Sequence, residues 1–498
     1  MSNSGKWLGV LVAGCLCLHG KAQKERHSDL EVNWDKVAIV SRSTPTLQVV
    51  VNPQLVRGAK LHDSSFKALH DLGADYVRYV PWLPYPRMAV AELEPPKDGK
   101  TSWDFANIDP MLDDFMKATE GHSVILNFST IPTWMFKMEK PVQYPDDPLQ
   151  VVWDYTQGTE LRDPSMKEIA DYYVRLLSWY TKGGFKDEFG KWHESGHHYK
   201  IAYWELLNEI EAEHHWTPEQ YTKFYDVVSS AMRKVNPDLK FVALALADPS
   251  HNPKMFEYFL NPAHHSGGVP LDFISYHFYA TPRKEEKEDN WQYTFFNQEE
   301  GFLNTVRYVE EIRKRLSPTT KTDLDELGVI LNDDQPGATH MIEPAGYWNM
   351  AGALYADIYI QLARMGVDVV GESQLVGYPS QYPSVSMMNY VTTKPNARFW
   401  VLKLLKDHFR PGDRLVETRE TNGDLSAQAF ETPQGRCILV VNKRPTKATL
   451  MLPASFKGAQ VQFVAPSTGD DGVAAKAMQG NEIELEPNEV AVVTEKAM

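Results

Sequence analysis

Ala202-Tyr203-Trp204-Glu205-Leu206-Leu207, followed directly by Asn208-Glu209, is a short apolar and aromatic run that ends in polar groups. Such a run reads as a buried strand, and the amphipathic stretch Pro218–Val235 behind it reads as a helix. The same unit recurs along the chain. Further candidate strands are Leu47–Asn52, Tyr76–Tyr79, Ser123–Phe128, Lys240–Leu246, Phe273–Tyr276, Asp323–Leu327 and Val367–Glu372. The helices expected between and after them are Ser64–Leu72, Ile108–Ala118, Ser165–Tyr180, Pro253–Leu260, Gln298–Leu316, Tyr347–Met365 and Asn396–His408. Eight strand–helix units predict an α/β fold, a (β/α)₈ barrel over 44–409, rather than an open doubly wound sheet. No glycine-rich phosphate loop follows the first strand, which argues against nucleotide binding.

The pattern changes after Pro411-Gly412. Leu425–Phe430, Cys437–Val441, Ala448–Leu452, Gln460–Val464, Glu482–Leu485 and Val490–Val493 alternate, separated by Gly, Pro, Asn and Asp. That reads as a C-terminal antiparallel β-sandwich over 410–498, to which 31–43 can add a strand.

Composition excludes other classes. With 43% hydrophobic and 23% charged residues, the 498-residue chain is neither disordered, collagen-like nor a coiled coil. Its formal net charge of −15 disfavours nucleic acid as a partner, because phosphate backbones need basic surface. Three cysteines, Cys15, Cys17 and Cys437, make no disulfide framework and no thiolate metal site.

At the N-terminus, Lys6 precedes the apolar run Trp7–Leu18 and a polar stretch. The run is too short to span a membrane and reads as a secretory signal over 1–22. Two processing routes fit: cleavage after Ala22, or acylation of Cys15 within the lipobox-like Val12-Ala13-Gly14-Cys15. The protein is therefore expected to be exported, as a periplasmic, extracellular or outer-surface lipid-anchored protein. Loss of 1–22 removes Lys6 and Lys21 and no acid, taking the net charge from −15 to −17. That surplus suits neutral glycans and repels uronates at long range.

The barrel reading concentrates the chemistry at strand ends. The fourth strand ends at Asn208-Glu209 and the seventh at Asp325-Glu326-Leu327-Gly328. Strands four and seven stand nearly opposite, so Glu209 and Glu326 can flank a small ligand. Retaining glycoside hydrolysis needs such a pair, one protonated to donate to the leaving oxygen and one ionised to attack. Glu205 shares a face with Glu209 but lies deeper, where it serves structure. Alternation turns Asp323 and Asp325 away from the direction of Glu326.

With Ser275-Tyr276-His277-Phe278-Tyr279 at the sixth strand, the Lys394-Pro395 turn and the trailing sandwich, these residues resemble the retaining (β/α)₈ glycosidases of clan A. The similarity is greatest to glycoside hydrolase family 39, which includes β-xylosidases and α-L-iduronidases. The resemblance implies Glu209 as acid/base, Glu326 as nucleophile, Asn208 on a sugar hydroxyl, and Tyr279 or His277 orienting the nucleophile. The chain differs from the usual pattern at Leu207 and Ile210, neither of which carries a reacting group.

Aromatic residues after the strands are candidate sugar platforms: Trp82 and Tyr85, Trp134, Tyr378 and Tyr382. Arg78 is placed to bond the nucleophile or a sugar hydroxyl, or else to form a barrel ion pair, and His214 to meet the sugar. The segments Ser129–Asp163 and Thr281–Asn297 can close a pocket for exo action or wall a groove for an endo-acting glycanase. His193-Glu194-Ser195-Gly196-His197 matches H-E-x-x-H, but the surrounding glycines deny it the helix that zinc binding requires. The expectation is a retaining exo-glycosidase acting on neutral oligosaccharides or polysaccharides, without metal, nucleotide or organic cofactor. An inactive carbohydrate-binding barrel is the alternative of another class.

Overall fold

The computed structural model describes residues 27–496 apart from 154–156, 333 and 335–342. Residues 1–22, expected to be a secretory signal, lie outside the described residues, Cys15 among them. Eight parallel strands close a barrel: β1 Thr44–Val50, β2 Val77–Val80, β3 Val124–Leu126, β4 Tyr203–Glu205, β5 Lys240–Leu246, β6 Phe273–Ala280, β7 Lys321–Val329 and β8 Val369–Glu372. The helices that follow them in turn are α1 His62–Leu72, α2 Asp109–Ala118, α3 Lys167–Lys182, α4 Pro218–Val235, α5 Pro253–Phe259, α6 Glu288–Leu316, α7 Tyr347–Met365 and α8 Ala397–His408. Local chemistry sets several ends. Thr217 and Gln220 form a capping box on α4, and Asn396, next to the Lys394-Pro395 turn, caps α8.

Alternation along β4 sorts its three residues. Trp204 points outward and stacks on Phe128, while Tyr203 points inward and joins Ile125, Val242, Phe273 and Val369 in an apolar floor. Glu205 also points inward, one layer higher, among buried polar groups. The barrel interior thus has an apolar floor and a charged storey above it, at the open end where the strand-following loops meet.

One expected element differs. α6 starts at Glu288 rather than Gln298, because Trp291 and Phe295 continue backwards the apolar face that carries Phe302. Most of Thr281–Asn297 is therefore helix, leaving a short loop at the barrel mouth.

Nine strands form the second region, including all six expected from the sequence. Arg414–Glu420 and Ala474–Ala477 are additional; the first is heavily charged and the second is an edge strand built from Ala and Lys. The N-terminal strand His27–Val40 pairs antiparallel with Arg414–Glu420 and, at its start, parallel with Ala448–Met451. It brings the chain back to the sandwich before the barrel begins. Arg364 of α7 joins the regions by donating to Gln428 and to the carbonyl of Ala427. Cys437, the free thiol among the described residues, is buried in this region and its pKa is pushed up to about 12 by burial. Among the described residues no helix is long and apolar enough to cross a membrane.

Candidate active site

The strands around the open end are irregular where they present side chains. β4 stops at Glu205, and Leu207 and Glu209 then take left-handed conformations, with φ of 68° and 42°. Leu244 and Ala245 on β5 are left-handed as well, and the Glu209 amide donates to the Ala245 carbonyl at 2.8 Å. Non-glycine residues held this way cost roughly 1–3 kcal/mol each, and they concentrate at functional sites. Strand alternation thus ends before Glu209, and a turn aims its carboxylate instead. Leu207 and Ile210, the two departures from the clan pattern, are fully buried and fill the core beneath this turn.

Arg78 on β2 is the hub of the charged storey. Its guanidinium donates to Glu205 Oε2 at 2.5 Å, Glu326 Oε1 at 2.5 Å, Gln48 Oε1 at 2.8 Å and Asn208 Oδ1 at 2.7 Å. Glu205 also accepts from Asn127 Nδ2 at 2.6 Å and Ser275 Oγ at 2.5 Å. It is completely buried and satisfied, the structural role expected of it. Arg78 thus bonds Glu326 and a barrel acid at once.

Glu326 and Glu209 face each other across the mouth. A carboxylate oxygen of each, with a ring nitrogen of His277, lie within 4.8 Å of one another. Tyr279 donates its hydroxyl to Glu326 Oε2 at 2.7 Å, and His277 Nδ1 lies 3.1 Å from Glu209 Oε1. The Glu326 side chain is 10% exposed and that of Glu209 24%. Glu209 therefore meets solvent, while Glu326 is enclosed.

Burial pushes the pKa of Glu326 up, but the charges of His277 and Arg78 and the hydrogen bonds from Tyr279 and Arg78 outweigh it. The net result lies below the usual carboxylate value. His277 is the converse case. Burial lowers its pKa, yet Glu326, Asp325 and Glu209 pull it up to about 10, so it holds its proton. Arg78 is likewise raised, against burial, by Glu205, Asp325 and Glu326. Two cations thus stand against the ionised Glu326. The pKa values of Asp323 and Asp325 are driven well above the usual carboxylate value by burial and by Glu205, against the charges of Arg78 and His277.

The position of Asp325 corrects the sequence reading. Its Oδ2 lies 3.0 Å from Arg78 Nε and its Oδ1 3.6 Å from His277 Nε2, inside the same cluster as Glu326. The register of β7 slips between Asp323 and Glu326 against β6, and between Leu324 and Leu327 against β8. Such a bulge lets successive side chains face one way.

A cavity of about 150 Å³ opens over the pair, lined by Trp82, Asn208, Glu209, Tyr279, Glu326 and Tyr382, with Val50, Val80 and Ile330 as apolar wall. Trp82 meets Trp153 at 5.7 Å and Tyr382 at 6.3 Å between ring centroids, and Trp153 meets Tyr382 at 5.8 Å. Trp153 comes from the segment Ser129–Asp163, which supplies a wall. Asn208, His277, Tyr279, Trp82 and Arg78 are all brought together with the two glutamates. Tyr85 and Tyr378 are not part of this lining, and Tyr85 is buried on Ser380.

Two expected contacts are placed elsewhere. Trp134 donates its indole N–H to the Glu92 carbonyl, carries Arg162 on its face at 4.4 Å, and borders a separate depression beside α3. Its loop turns outward in a short 3₁₀ turn at Thr133–Met135, away from the carboxylates. His214 is fully buried with Nδ1 3.0 Å from the Gly158 carbonyl and its ring 5.4 Å from Phe136, and burial lowers its pKa to about 4. It is a neutral core histidine, because one helical turn after Glu209 carries it under the loop instead of into the mouth.

The sequence reading missed Glu213. It ends the short helix Ile210–Glu213, and its backbone N–H donates to the Glu209 carbonyl at 2.7 Å, so the two acids stand one turn apart. The Glu209-Ile210-Glu211-Ala212-Glu213 spacing carried that signal. Gln48 and Ser373 were also missed. Ser373 Oγ lies 2.6 Å from the Tyr279 hydroxyl and accepts from Gln48 Nε2 at 2.6 Å.

Among the described residues, Glu209, His277 and Glu326 are the three donors close enough to share a metal ion. A metal ligand must be neutral imidazole, and His277 holds a second proton here, so this donor set suits an ion-paired carboxylate instead. In the H-E-x-x-H segment, Trp192–Glu194 is a strand of a two-stranded ribbon, with His193 on Asp187 and His197 on Asp109. The two histidines do not share a helix face.

The sequence pattern of "Glycosyl hydrolases family 39" matches residues 22–327, a span that includes both Glu209 and Glu326. A β-xylosidase from Caldicellulosiruptor saccharolyticus is 25% identical over 251 residues, 50% of this chain and 44% of that protein, so the chain spans less than half of the curated relative it matches. Similar solved structures include a GH51 arabinofuranosidase from Xanthomonas axonopodis pv. citri, at a TM-score of 0.64 and 11% identity over 94% of this chain and 100% of that one. An α-L-arabinofuranosidase from Thermotoga maritima gives 0.61 and 15% over 94% and 99%. At those identities the likeness is one of fold. The family match covers well over half of the chain and includes the barrel strands that carry the facing glutamates: the protein belongs to glycosyl hydrolase family 39.

Proposed function

We propose that the protein is a retaining glycoside hydrolase that removes single terminal sugars from neutral glycans. The observation that carries this is the approach of Glu209 and Glu326 to within 4.8 Å between carboxylate oxygens. Retaining enzymes hold their carboxyl groups about 5–5.5 Å apart, whereas inverting enzymes need about 6.5–9.5 Å for a water molecule.

The geometry supports the following roles. Glu326, ionised and aimed by Tyr279 and Arg78, attacks the anomeric carbon. Glu209, the more exposed carboxyl, gives a proton to the departing oxygen and then takes one from the water that releases the sugar. The cationic His277 between them balances charge as the glycosyl–enzyme bond forms and breaks. The aromatic group Trp82, Trp153 and Tyr382 offers faces to the C–H surface of a sugar ring.

Exo action is favoured by size. A cavity of about 150 Å³ is smaller than the ~300–1,000 Å³ of sites for drug-sized ligands, and it suits one monosaccharide unit. A β-xyloside is the first substrate to try, from the relative's activity, followed by α-L-arabinofuranosides. The N-terminal 22 residues support export of the enzyme.

The test is a panel of nitrophenyl glycosides, with the first-formed product followed by NMR. Release of a sugar that keeps its anomeric configuration, with activity reduced on the order of 10³-fold or more in Glu326→Gln, is expected. Full activity in that variant, or an inverted product, refutes the assignment.

A further inference from the structure

Glu213 is half-buried, is absent from the cavity wall, and has no part in the cycle described above. Its carboxyl nevertheless collects three donors from three segments. Oε1 accepts from Trp82 Nε1 at 2.9 Å and Asn208 Nδ2 at 3.0 Å, and Oε2 accepts from Gln157 Nε2 at 3.1 Å. We propose that Glu213 is a positioning residue for hydrolysis, holding the Asn208 amide and the Trp82 indole in the orientation that forms the sugar pocket. This rests on Glu209 and Glu326 being the reacting pair.

The case begins with Asn208. Its Oδ1 accepts from Arg78 at 2.7 Å while its Nδ2 donates to Glu213, so a cation and a carboxyl bracket the two ends of one amide. A flipped amide would face NH₂ toward the guanidinium and C=O toward the carboxyl, two repulsive contacts in place of two hydrogen bonds. Only one orientation survives, and it leaves the second Nδ2 hydrogen for a ligand. Trp82 is governed in the same way. With its N–H on Glu213, the ring stands as the wall that meets Trp153 and Tyr382. One carboxylate oxygen therefore sets both a polar reader and an aromatic platform.

The location also gives Glu213 a titration that activity can report. The titratable groups facing it are Glu209 on its own turn, Glu326 on β7 and the Tyr173 phenol on α3. Burial and the charges of Glu209 and Glu326 push its pKa up to about 8, against the hydrogen bonds from Trp82 and Asn208. As pH rises through that value, a negative charge appears one helical turn from the acid/base group. It disfavours the first step, in which Glu209 gives its proton to the departing oxygen and gains charge.

The experiment uses the full chain with an aryl glycoside that the wild type hydrolyses, across pH 5 to pH 9.5. In Glu213→Gln, KM is expected to rise about tenfold with a smaller loss of kcat, the effect of one weakened orienting bond. The alkaline limb near pH 8 should disappear. Glu213→Asp keeps a titrating carboxyl but cannot reach the indole, so it should retain an alkaline limb without recovering KM. Trp82→Phe removes the N–H together with part of the aromatic wall, so its KM should rise at least as far as that of Glu213→Gln, even if the Glu213 variants fail to fold. Wild-type KM and an unchanged alkaline limb in Glu213→Gln, or wild-type KM in Trp82→Phe, overturn the proposal. Glu326→Gln separates the two questions: if it is inactive while Glu213→Gln behaves as wild type, only the positioning role falls. Full activity in Glu326→Gln removes the reading beneath it.

Discussion

Replacing Tyr279 by Phe isolates what holds the nucleophile ready. The substitution deletes one atom, the hydroxyl that donates to Glu326 Oε2 at 2.7 Å, and leaves the ring in place. Glu326 keeps its bond from Arg78 and the charge of His277, so the site stays assembled. A hydrogen bond to a charged acceptor is worth about 1.5–3 kcal/mol, and in a buried site little water replaces it. Because the bond favours the ionised form, its loss moves the pKa of Glu326 upward, which is the sign that weakens a nucleophile at acid pH. Since each 1.4 kcal/mol is a factor of ten in rate, kcat/KM at neutral pH should fall about 10- to 100-fold, with the acid limb displaced toward neutrality. Initial rates of aryl-glycoside hydrolysis from pH 4 to pH 9, beside a thermal melt, measure both effects. The melt should move little, since Ser373 Oγ keeps the bond from Gln48. An unchanged acid limb with a reduced plateau would refute the argument, because it would mean that the hydroxyl does not act on the charge of Glu326.

Other outcomes follow from the same structure. Glu205→Leu strands Arg78, Asn127 and Ser275 around an apolar side chain in a buried layer, and should cost about 3–5 kcal/mol in urea unfolding. Stability should fall between pH 6.5 and pH 8. Glu92 and Glu213, both held near 8, keep protons in the folded state that the unfolded chain has already lost, and His277, held near 10, adds to them. Each such proton is worth about 1.4 kcal/mol per pH unit, so the melting temperature at pH 8 should lie below that at pH 6.5. A flat profile would sink that account. A chelator should leave hydrolysis unchanged, since the H-E-x-x-H histidines are spent on Asp187 and Asp109; inhibition reversed by zinc would contradict it.

The local pattern was enough to determine the barrel, the sandwich and the identity of the two facing acids. Eight apolar runs alternating with amphipathic ones admit few architectures, and a carboxylate at a strand end is visible as a sequence position. Deep placement of Glu205 was legible for the same reason, since it lies within the regular part of β4. Legibility ended where regular geometry ended. Glu209 is aimed by left-handed turns, and Asp325 shares the interior with Glu326 through a bulge, so period-two reasoning did not extend to either. Trp134 and His214 show the corresponding limit for loops: proximity in sequence to a strand end does not say whether a side chain turns into the mouth or away from it. Only the closed barrel could decide which charges are shared. Arg78, Glu205, Asn208, Glu213, His277 and Glu326 come from four strands and the segment after one of them, and the protonation of Arg78, Glu213, His277 and Glu326 depends on burial together with neighbouring charges. Electrostatic coupling of that kind exists in space and has no spacing along the chain.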